Sequence, residues 1–423
     1  MISQRVIVPR SSLSQPSMDT PTAWPFPRTD TLPPYGFGVT DAVKARVIAQ
    51  GADLIDLGLG NPDRPIPPEI VERLQEAIGI AGNHRYFPGR GLEVLRRALA
   101  AWYARRYGVG IDPEHEIVVT LGAKEGMSHL CLALLQAGDV AIVPTPCFPI
   151  HAGAPRIAGA EVELYEVTSG LEPAAAIRRA IERVRARGKR PKLVIANYPH
   201  NPTGLSVTPE QMRELLEVVE RSGALLMHDL AYADCDFGAR YAPSVFSSGL
   251  EPERVKRFAV EVFSMSKSYN MPGWRIAFMA GNQRMIDALA HLKTYLDYGA
   301  FAPLQQAAAW ALDHGDELAS RFRHLYHTRA KALVSGLREA GFSDAAEPSG
   351  TMFVWCRLPV PLAHQSSAQA ACELIEHAHV ATSAGSGFGP GGEGFLRFAL
   401  IQDPPRIREA CRRLGLYLQP VGA

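Results

Sequence analysis

From about residue 112 onward, short apolar runs alternate with segments whose apolar positions recur at helical spacing. Glu116–Leu121 (EIVVTL), Val140–Val143, Lys192–Ala196, Ala224–His228, Phe258–Phe263 and Ile276–Ala280 are the short runs, and they predict strands. Ala123–Gln136 is packed with Leu and Ala, and Pro173–Arg187 has helical spacing with one charged face, so both predict helices. The helix after Lys192–Ala196 shows its ends in its chemistry. Thr208 is an N-cap, Pro209 sits at the first helical position, Gln211 completes a capping box, and Gly223 marks the stop. Apolar strands separated by helices are buried on both faces. The pattern over about 112–282 therefore predicts an α/β unit, a mostly parallel sheet flanked by helices.

Longer helical stretches follow from Ala302 to Ala340. The tail changes character again: Thr351–Leu358 and Phe395–Ile401 read as strands, Ala368–Ala378 and Pro405–Leu416 as helices. These predict a second, smaller α+β domain joined by elements from the first part of the chain. The expected organisation is an arm over 1–34, arm and small-domain elements over 35–80, a large domain over 81–325 and a small C-terminal domain over 326–423. The first 34 residues are rich in Ser, Pro and Thr, and Pro9, Pro16, Pro21, Pro25, Pro27, Pro33 and Pro34 forbid a continuous helix there. No apolar stretch marks a secretory signal. Arg5 and Arg10 among serines hint at a transit peptide, but the prolines spoil the amphipathic helix it needs, so a flexible arm is the reading.

Composition removes several function classes. The chain has 423 residues, enough for about two or three folded units. Its 44 basic and 43 acidic side chains leave a formal net charge of +1, so no basic excess points to nucleic acid. No apolar run approaches the roughly 20 residues needed to span a bilayer. The six cysteines are scattered without a Cys-x-x-Cys, which speaks against a zinc ribbon or a disulfide scaffold. Buried thiols in a reducing cytoplasm are the expectation.

In an open α/β sheet, ligands bind at the carboxyl ends of the strands, so the polar loops after the strands are where chemistry should sit. Ser264-Met-Ser-Lys267-Ser-Tyr-Asn-Met-Pro-Gly-Trp-Arg275 is the most informative. Taken singly, Lys267 reads as a solvated loop lysine. A Pro-Gly turn can fold Arg275 back beside it, and Ser264 and Ser266 add hydroxyl donors, a group suited to an anionic phosphate. A nearby cation and partial desolvation also lower an amine pKa, which a Schiff-base lysine requires. Asp229 ends a strand; it reads as a helix cap or as a buried anion opposite a ring nitrogen, the usual means of tuning pyridoxal phosphate. A metal is disfavoured there because His228 should point to the opposite face of the strand. Asn197–Gly204 is a turn by composition that gains interest from its place. Gly122-Ala123-Lys124 precedes a helix whose free N–H groups and dipole favour a phosphate. Gly387-Phe-Gly389-Pro-Gly-Gly392 matches G-x-G-x-x-G but leads into a strand, so it reads as a loop and not a dinucleotide site.

These loops, in this order, resemble the class I/II aminotransferases, the fold-type-I pyridoxal-phosphate enzymes, over roughly Asp30 to Leu418. The motifs are Gly58-Leu-Gly60-Asn-Pro-Asp63, Tyr86-Phe-Pro-Gly-Arg-Gly91 with Leu95-Arg96, Asn201-Pro-Thr-Gly204, Asp229-Leu-Ala-Tyr232, Ser264 through Arg275, and Phe395-Leu-Arg397. The resemblance implies pyridoxal 5'-phosphate as cofactor and a ping-pong exchange of an amino group between an amino acid and a 2-oxo acid. It implies that Lys267 carries the cofactor and shuttles the proton, Asp229 pairs with the pyridine nitrogen, and Tyr232 and Asn201 bond the cofactor's phenolic oxygen. Ala123, Lys124, Ser264, Ser266 and Arg275 would hold the phosphate, and Phe148 would stack on the ring. Arg397 would fork onto the substrate α-carboxylate, with Gly60 close to the substrate. Tyr86 would reach the phosphate of the partner subunit in a homodimer.

LPPYGFGVT, YFPGRG, VTLGAKEG, HDLAYAD, SKSYNMPGWRI and LRFALI are similar to segments of the bacterial glutamate–pyruvate (alanine) aminotransferases. That likeness implies glutamate and pyruvate as substrates of a cytoplasmic enzyme, with neither nucleic acid nor membrane as partner. Pro272, Gly36, Gly38, Cys147 and Ser386–Gly394 depart from the subfamily pattern and bear on the substrate. Other transaminase specificities (aspartate, aromatic, methionine or diaminopimelate-like), another pyridoxal-phosphate chemistry such as a C–S lyase or decarboxylase, and a non-enzymatic regulator are the alternatives.

Overall fold

The computed structural model describes residues 26–33, 36–38, 40–87 and 89–419. The arm expected over 1–34 therefore lies outside the described residues up to position 25 and at position 34. Its described part makes one short helical turn, Pro27–Asp30, opened by a proline. Twelve strands follow in chain order: β1 (Ile55–Asp56), β2 (Ile117–Thr120), β3 (Val140–Thr145), β4 (Glu161–Glu166), β5 (Pro191–Asn197), β6 (Leu225–Asp229), β7 (Ala259–Ser264), β8 (Ala277–Gly281), β9 (Phe353–Arg357), β10 (Val380–Ala381), β11 (Ser383–Ala384) and β12 (Phe395–Ala399).

Seven of them form one sheet in the order β2-β8-β7-β6-β5-β3-β4. All pairings are parallel except those of β8, which runs antiparallel to β7 and β2. The α/β expectation of a mostly parallel, helix-flanked sheet is met. Alternate residues of β5 feed opposite cores. Val194 and Ala196 join Trp102, Leu215 and Phe246 on one side, while Leu193 and Ile195 join Met127, Leu130 and Met279 on the other. Both faces are thus covered, which is why these strands read as continuous apolar runs.

β4 escaped the sequence reading. Its EVELYE alternates carboxylates with apolar residues, and it lies at the sheet edge, where charges guard against stray pairing. Glu163 in its middle is bonded by Arg183 (2.6 Å) and Arg187 (2.8 Å).

The helix Pro209–Ser222 has the expected ends. Gln211 N–H donates to Thr208 Oγ1 (3.2 Å), Thr208 N–H donates to Gln211 Oε1 (2.9 Å), and Gly223 closes it at φ 78°. The remaining strands make a parallel pair, β1-β10, and an antiparallel sheet, β11-β12-β9. Ile55, Leu57, Leu333, Phe342, Val354, Leu374, Leu396 and Leu414 build a core of their own around these. All six cysteines are free thiols, five of them buried. No described helix is long and apolar enough to cross a membrane.

Candidate active site

Register sets the site. Asn197 of β5 lies opposite Asp229 of β6, and Asp229 lies opposite Val262 of β7, two residues before Ser264. Three neighbouring strands therefore deliver their loops to one edge. A cavity of about 330 Å³ opens there. It is lined by Gly60, Ala123, Lys124, Phe148, Asn201, Asp229, Tyr232, Ser264, Ser266, Lys267, Arg275 and Arg397, together with Leu59, Met127, Ala231, Pro272 and Phe353. Every site residue expected from the sequence is in this lining except Tyr86.

Lys267 follows β7 in a single helical turn, Met265–Ser268, capped by Ser264, whose Oγ accepts the Ser266 N–H at 3.2 Å. Its Nζ donates to the Gly60 carbonyl at 2.9 Å. Burial first, and then the charges of Arg397 and Arg275, lower its pKa from 10.5 to about 8. The amine is thus closer to its neutral, nucleophilic form than a surface lysine.

Asp229 projects the other way from its strand neighbour. Its Oδ2 meets His151 Nε2 at 2.9 Å, and Oδ1 accepts the Ala231 N–H at 3.1 Å. His228 faces the opposite side, where its Nδ1 meets Glu261 Oε2 at 2.9 Å. His151 was missed in the sequence. It lies three residues past Phe148 on the helix Pro149–Ile157, so the two rings face the same region. Tyr232 is buried, and that burial pushes its phenol far above the usual range, Arg397 opposing. It therefore stays protonated, as a hydrogen-bond donor.

Arg397, on β12, is held from several sides. Nη1 donates to Asn201 Oδ1 (2.9 Å), and Nη2 donates to the Gly58 carbonyl (3.1 Å) and Ser383 Oγ (3.2 Å). Its guanidinium lies over the Phe353 ring at 3.9 Å. Phe353 also explains Gly60: a Cβ there would come within 2.5 Å of that ring.

The helix Ala123–Leu134 begins without a side-chain cap, an N-terminus whose dipole and N–H groups suit an anion. Its N-cap, Gly122, has φ 86°, and a Cβ at that position would sit 2.1 Å from Arg275 Nη2. Glycine is required both for the backbone and for the guanidinium beside it. Glu125 steadies this loop: Oε2 accepts the Leu121 N–H (2.8 Å), and Oε1 accepts from buried Lys293 (3.0 Å).

Tyr86 stands apart. It is 85% exposed, and its ring lies 4.9 Å from that of Tyr298. Leu59, Tyr295, Tyr298 and Phe301 are also exposed, and Leu59 belongs to the cavity rim as well.

The donor set fits pyridoxal 5'-phosphate. One end offers uncapped helix N–H groups, serine hydroxyls and a guanidinium in a glycine cradle, suited to a phosphate. The other offers a carboxylate suited to a ring nitrogen. A lysine of lowered pKa shares the lining with them, and Phe148 supplies an aromatic face.

Residues 52–414 match the family model of the class I and II aminotransferases. The chain is 42% identical to the glutamate-pyruvate aminotransferase AlaC of Escherichia coli, over 94% of each chain. It is 37% identical to an LL-diaminopimelate aminotransferase of Desulforudis audaxviator, over 92% of this chain and 96% of that one. Among solved structures, substrate-bound BacF of Bacillus subtilis superposes with a TM-score of 0.84 at 32% identity, covering 95% of this chain and 100% of the other.

Proposed function

The chain belongs to the class I and II aminotransferases, which depend on pyridoxal 5'-phosphate, and from that premise we propose that it moves the amino group of L-glutamate to pyruvate, giving 2-oxoglutarate and L-alanine. The observation that carries the site assignment is the meeting of Lys267, Asp229 and Arg397 in one cavity, with Lys267 shifted to about 8. The cofactor, when bound, supplies an electron sink for the pair left by a broken Cα–H bond.

The residues divide the remaining work. Lys267 holds the cofactor covalently and carries the proton to and from the substrate Cα. Asp229, oriented by His151, keeps a negative charge at the cofactor's ring nitrogen. Asn201 and Tyr232 donate to its phenolic oxygen, and Phe148 covers one face. Ala123, Lys124, Ser264, Ser266 and Arg275 hold the phosphate. Arg397 receives the α-carboxylate on a rigid planar fork, and Gly60 leaves room beside it. Residues 81–325 are read as the unit carrying the cofactor. Residues 326–423 with 35–80 are read as the smaller unit, supported by the core that joins Ile55 and Leu57 to the C-terminal strands, while Ile70 of the same stretch packs into the large core. Six free thiols support a cytoplasmic location.

The 42% identity to a glutamate-pyruvate aminotransferase supports the substrate pair, and the diaminopimelate relative defines its rival. A donor panel with pyruvate as acceptor tests it. Glutamate is expected to give the highest kcat/KM. A higher value for LL-diaminopimelate or any other donor overturns the assignment, and release of ammonia or carbon dioxide in place of a 2-oxo acid points to other chemistry.

The exposed Tyr86–Tyr298 pair, outside the cavity lining of its own chain, supports a homodimer in which Tyr86 serves the partner's phosphate. Mixing chains tests this. In a dimer of one Lys267→Ala chain and one Tyr86→Phe chain, the single functional lysine is served by the intact Tyr86 across the boundary. Cofactor affinity should then exceed that of the Tyr86→Phe homodimer by about tenfold or more, as expected for a hydrogen bond to a charged group worth about 1.5–3 kcal/mol. Equal affinities would place Tyr86 in its own subunit's service.

A further inference from the structure

Lys293, on the helix Gln283–Leu296, carries an ammonium with no access to solvent. Its Nζ donates to Glu125 Oε1 (3.0 Å) and to both oxygens of Asp297 (2.9 and 3.0 Å). His129 Nδ1 lies against Glu125 Oε1 and 3.9 Å from Asp297 Oδ2. Glu125, His129 and Asp297 could together hold a metal ion, but the Lys293 ammonium already supplies the cation between the two carboxylates. The transamination proposed above has no step for this lysine. Burying an ammonium is costly even when it is paired, so its place calls for a physical reason.

That reason lies at the start of the helix Ala123–Leu134, where Ala123, Lys124 and Arg275 are read as the phosphate site. Glu125 is the third residue of that helix, and its Oε2 accepts the Leu121 N–H at 2.8 Å, just ahead of Gly122. The helix dipole draws a carboxylate to the first turn, and the same field draws a phosphate. The two anions also repel each other. They compete for one N-terminus unless one of them is neutralised. The Glu125 side chain is only 15% exposed, so salt screens its charge poorly. His129 aside, two carboxylates and one ammonium leave one net negative charge in this cluster, and without Lys293 two would remain.

We propose that Lys293 is a positioning residue for the cofactor: it acts through Glu125, neutralising that carboxylate so that the helix N-terminus can take the phosphate of pyridoxal 5'-phosphate. The proposal rests on the reading of Ala123, Lys124 and Arg275 as phosphate ligands and not on the glutamate–pyruvate assignment. Asp297 ties the ammonium to a neighbouring turn, where its Oδ1 accepts the Gly299 N–H at 2.6 Å beside Tyr298. Lys293→Met therefore does two things: it unpairs two carboxylates and loosens that turn. Glu125→Gln is the cleaner change. Its amide oxygen can still accept from Leu121, and Lys293 keeps both Asp297 oxygens.

The test titrates the full-length apoprotein with pyridoxal 5'-phosphate and with pyridoxal, which lacks the phosphate, at one pH and one salt concentration. The readout is the ratio of the two dissociation constants. Glu125→Gln is expected to raise the preference for the phosphorylated form and Lys293→Met to lower it, each by about fivefold or more, for one unit of charge acting over several ångströms. Lys293→Met combined with Glu125→Gln restores the wild-type charge and should return the preference close to wild type. A merely structural role predicts the reverse: Glu125→Gln would leave the ratio unchanged or lower it, and the double variant would do no better than Lys293→Met. Either result overturns the proposal, as does an equal loss for pyridoxal and its phosphate in Lys293→Met. If Lys293→Met does not fold, the Glu125→Gln ratio decides alone. Arg275→Gln checks the site itself. If it leaves the preference intact, the phosphate assignment fails and this proposal falls with it. If it abolishes the preference while Glu125→Gln does not raise it, this proposal fails alone.

Discussion

Lys267→Ala is expected to keep its fold and to lose turnover by about 10⁴-fold or more. The side chain has one hydrogen bond, to the Gly60 carbonyl at 2.9 Å, so truncation leaves little unsatisfied. What disappears is the amine proposed to hold the cofactor and move the Cα proton. Borohydride should fix cofactor to residue 267 of the wild type and to no lysine of the variant. An adduct at another lysine with retained turnover would reassign the role. pH gives an independent check. With a pKa of about 8, the amine is neutral above that pH, so capture of the cofactor's aldehyde by apoprotein should rise through about 8, not 10.5. Stability carries the same sign. The folded-state pKa lies below the unfolded one, so the charged amine destabilises the folded apoprotein fully below about pH 8. That penalty fades as pH rises toward 10.5. The apo variant should therefore melt no lower than wild type at pH 7, and any advantage should shrink at pH 10.

Asp229→Ala and Asp229→Asn are expected to separate charge from hydrogen bonding. Both remove the negative charge opposite the ring nitrogen, and each should cost about 10²–10³-fold in kcat. Their effects on stability should differ. Alanine leaves the wholly buried His151 without its 2.9 Å partner, at about 1–3 kcal/mol for an unsatisfied group. Asparagine can still accept from His151 Nε2 and should melt closer to wild type. Near-normal kcat in Asp229→Asn would show that the carboxylate's charge is not what the reaction needs.

Much of the architecture was legible because its cause is local. Apolar runs such as EIVVTL and KLVIA mark strands buried on both faces, and the Thr208-to-Gly223 helix shows both its ends. Elements whose cause is not local were invisible. β4 hides its strand character behind edge carboxylates. β1 and β10 are two residues each and exist only by pairing with one another, 325 positions apart. The helix Pro149–Ile157 contains Gly153 and Pro155, which break the helical signal, so its burial against the sheet had to establish it.

The site divides along the same line. The order of short loops at strand ends, each with its residue types, was enough to determine the family and the cofactor and to single out Lys267, Asp229 and Arg397, which line one cavity. Their selection depends on side-chain chemistry, which a sequence states outright. Tertiary structure alone decided what surrounds them. His151 reaches Asp229 from 78 positions away, and Asn201 meets Arg397 across 196. Phe353 sets the space at Gly60 from 293 positions further along the chain. Distances across a fold follow from strand register and helix packing, sums of many weak contacts that no single stretch of sequence contains.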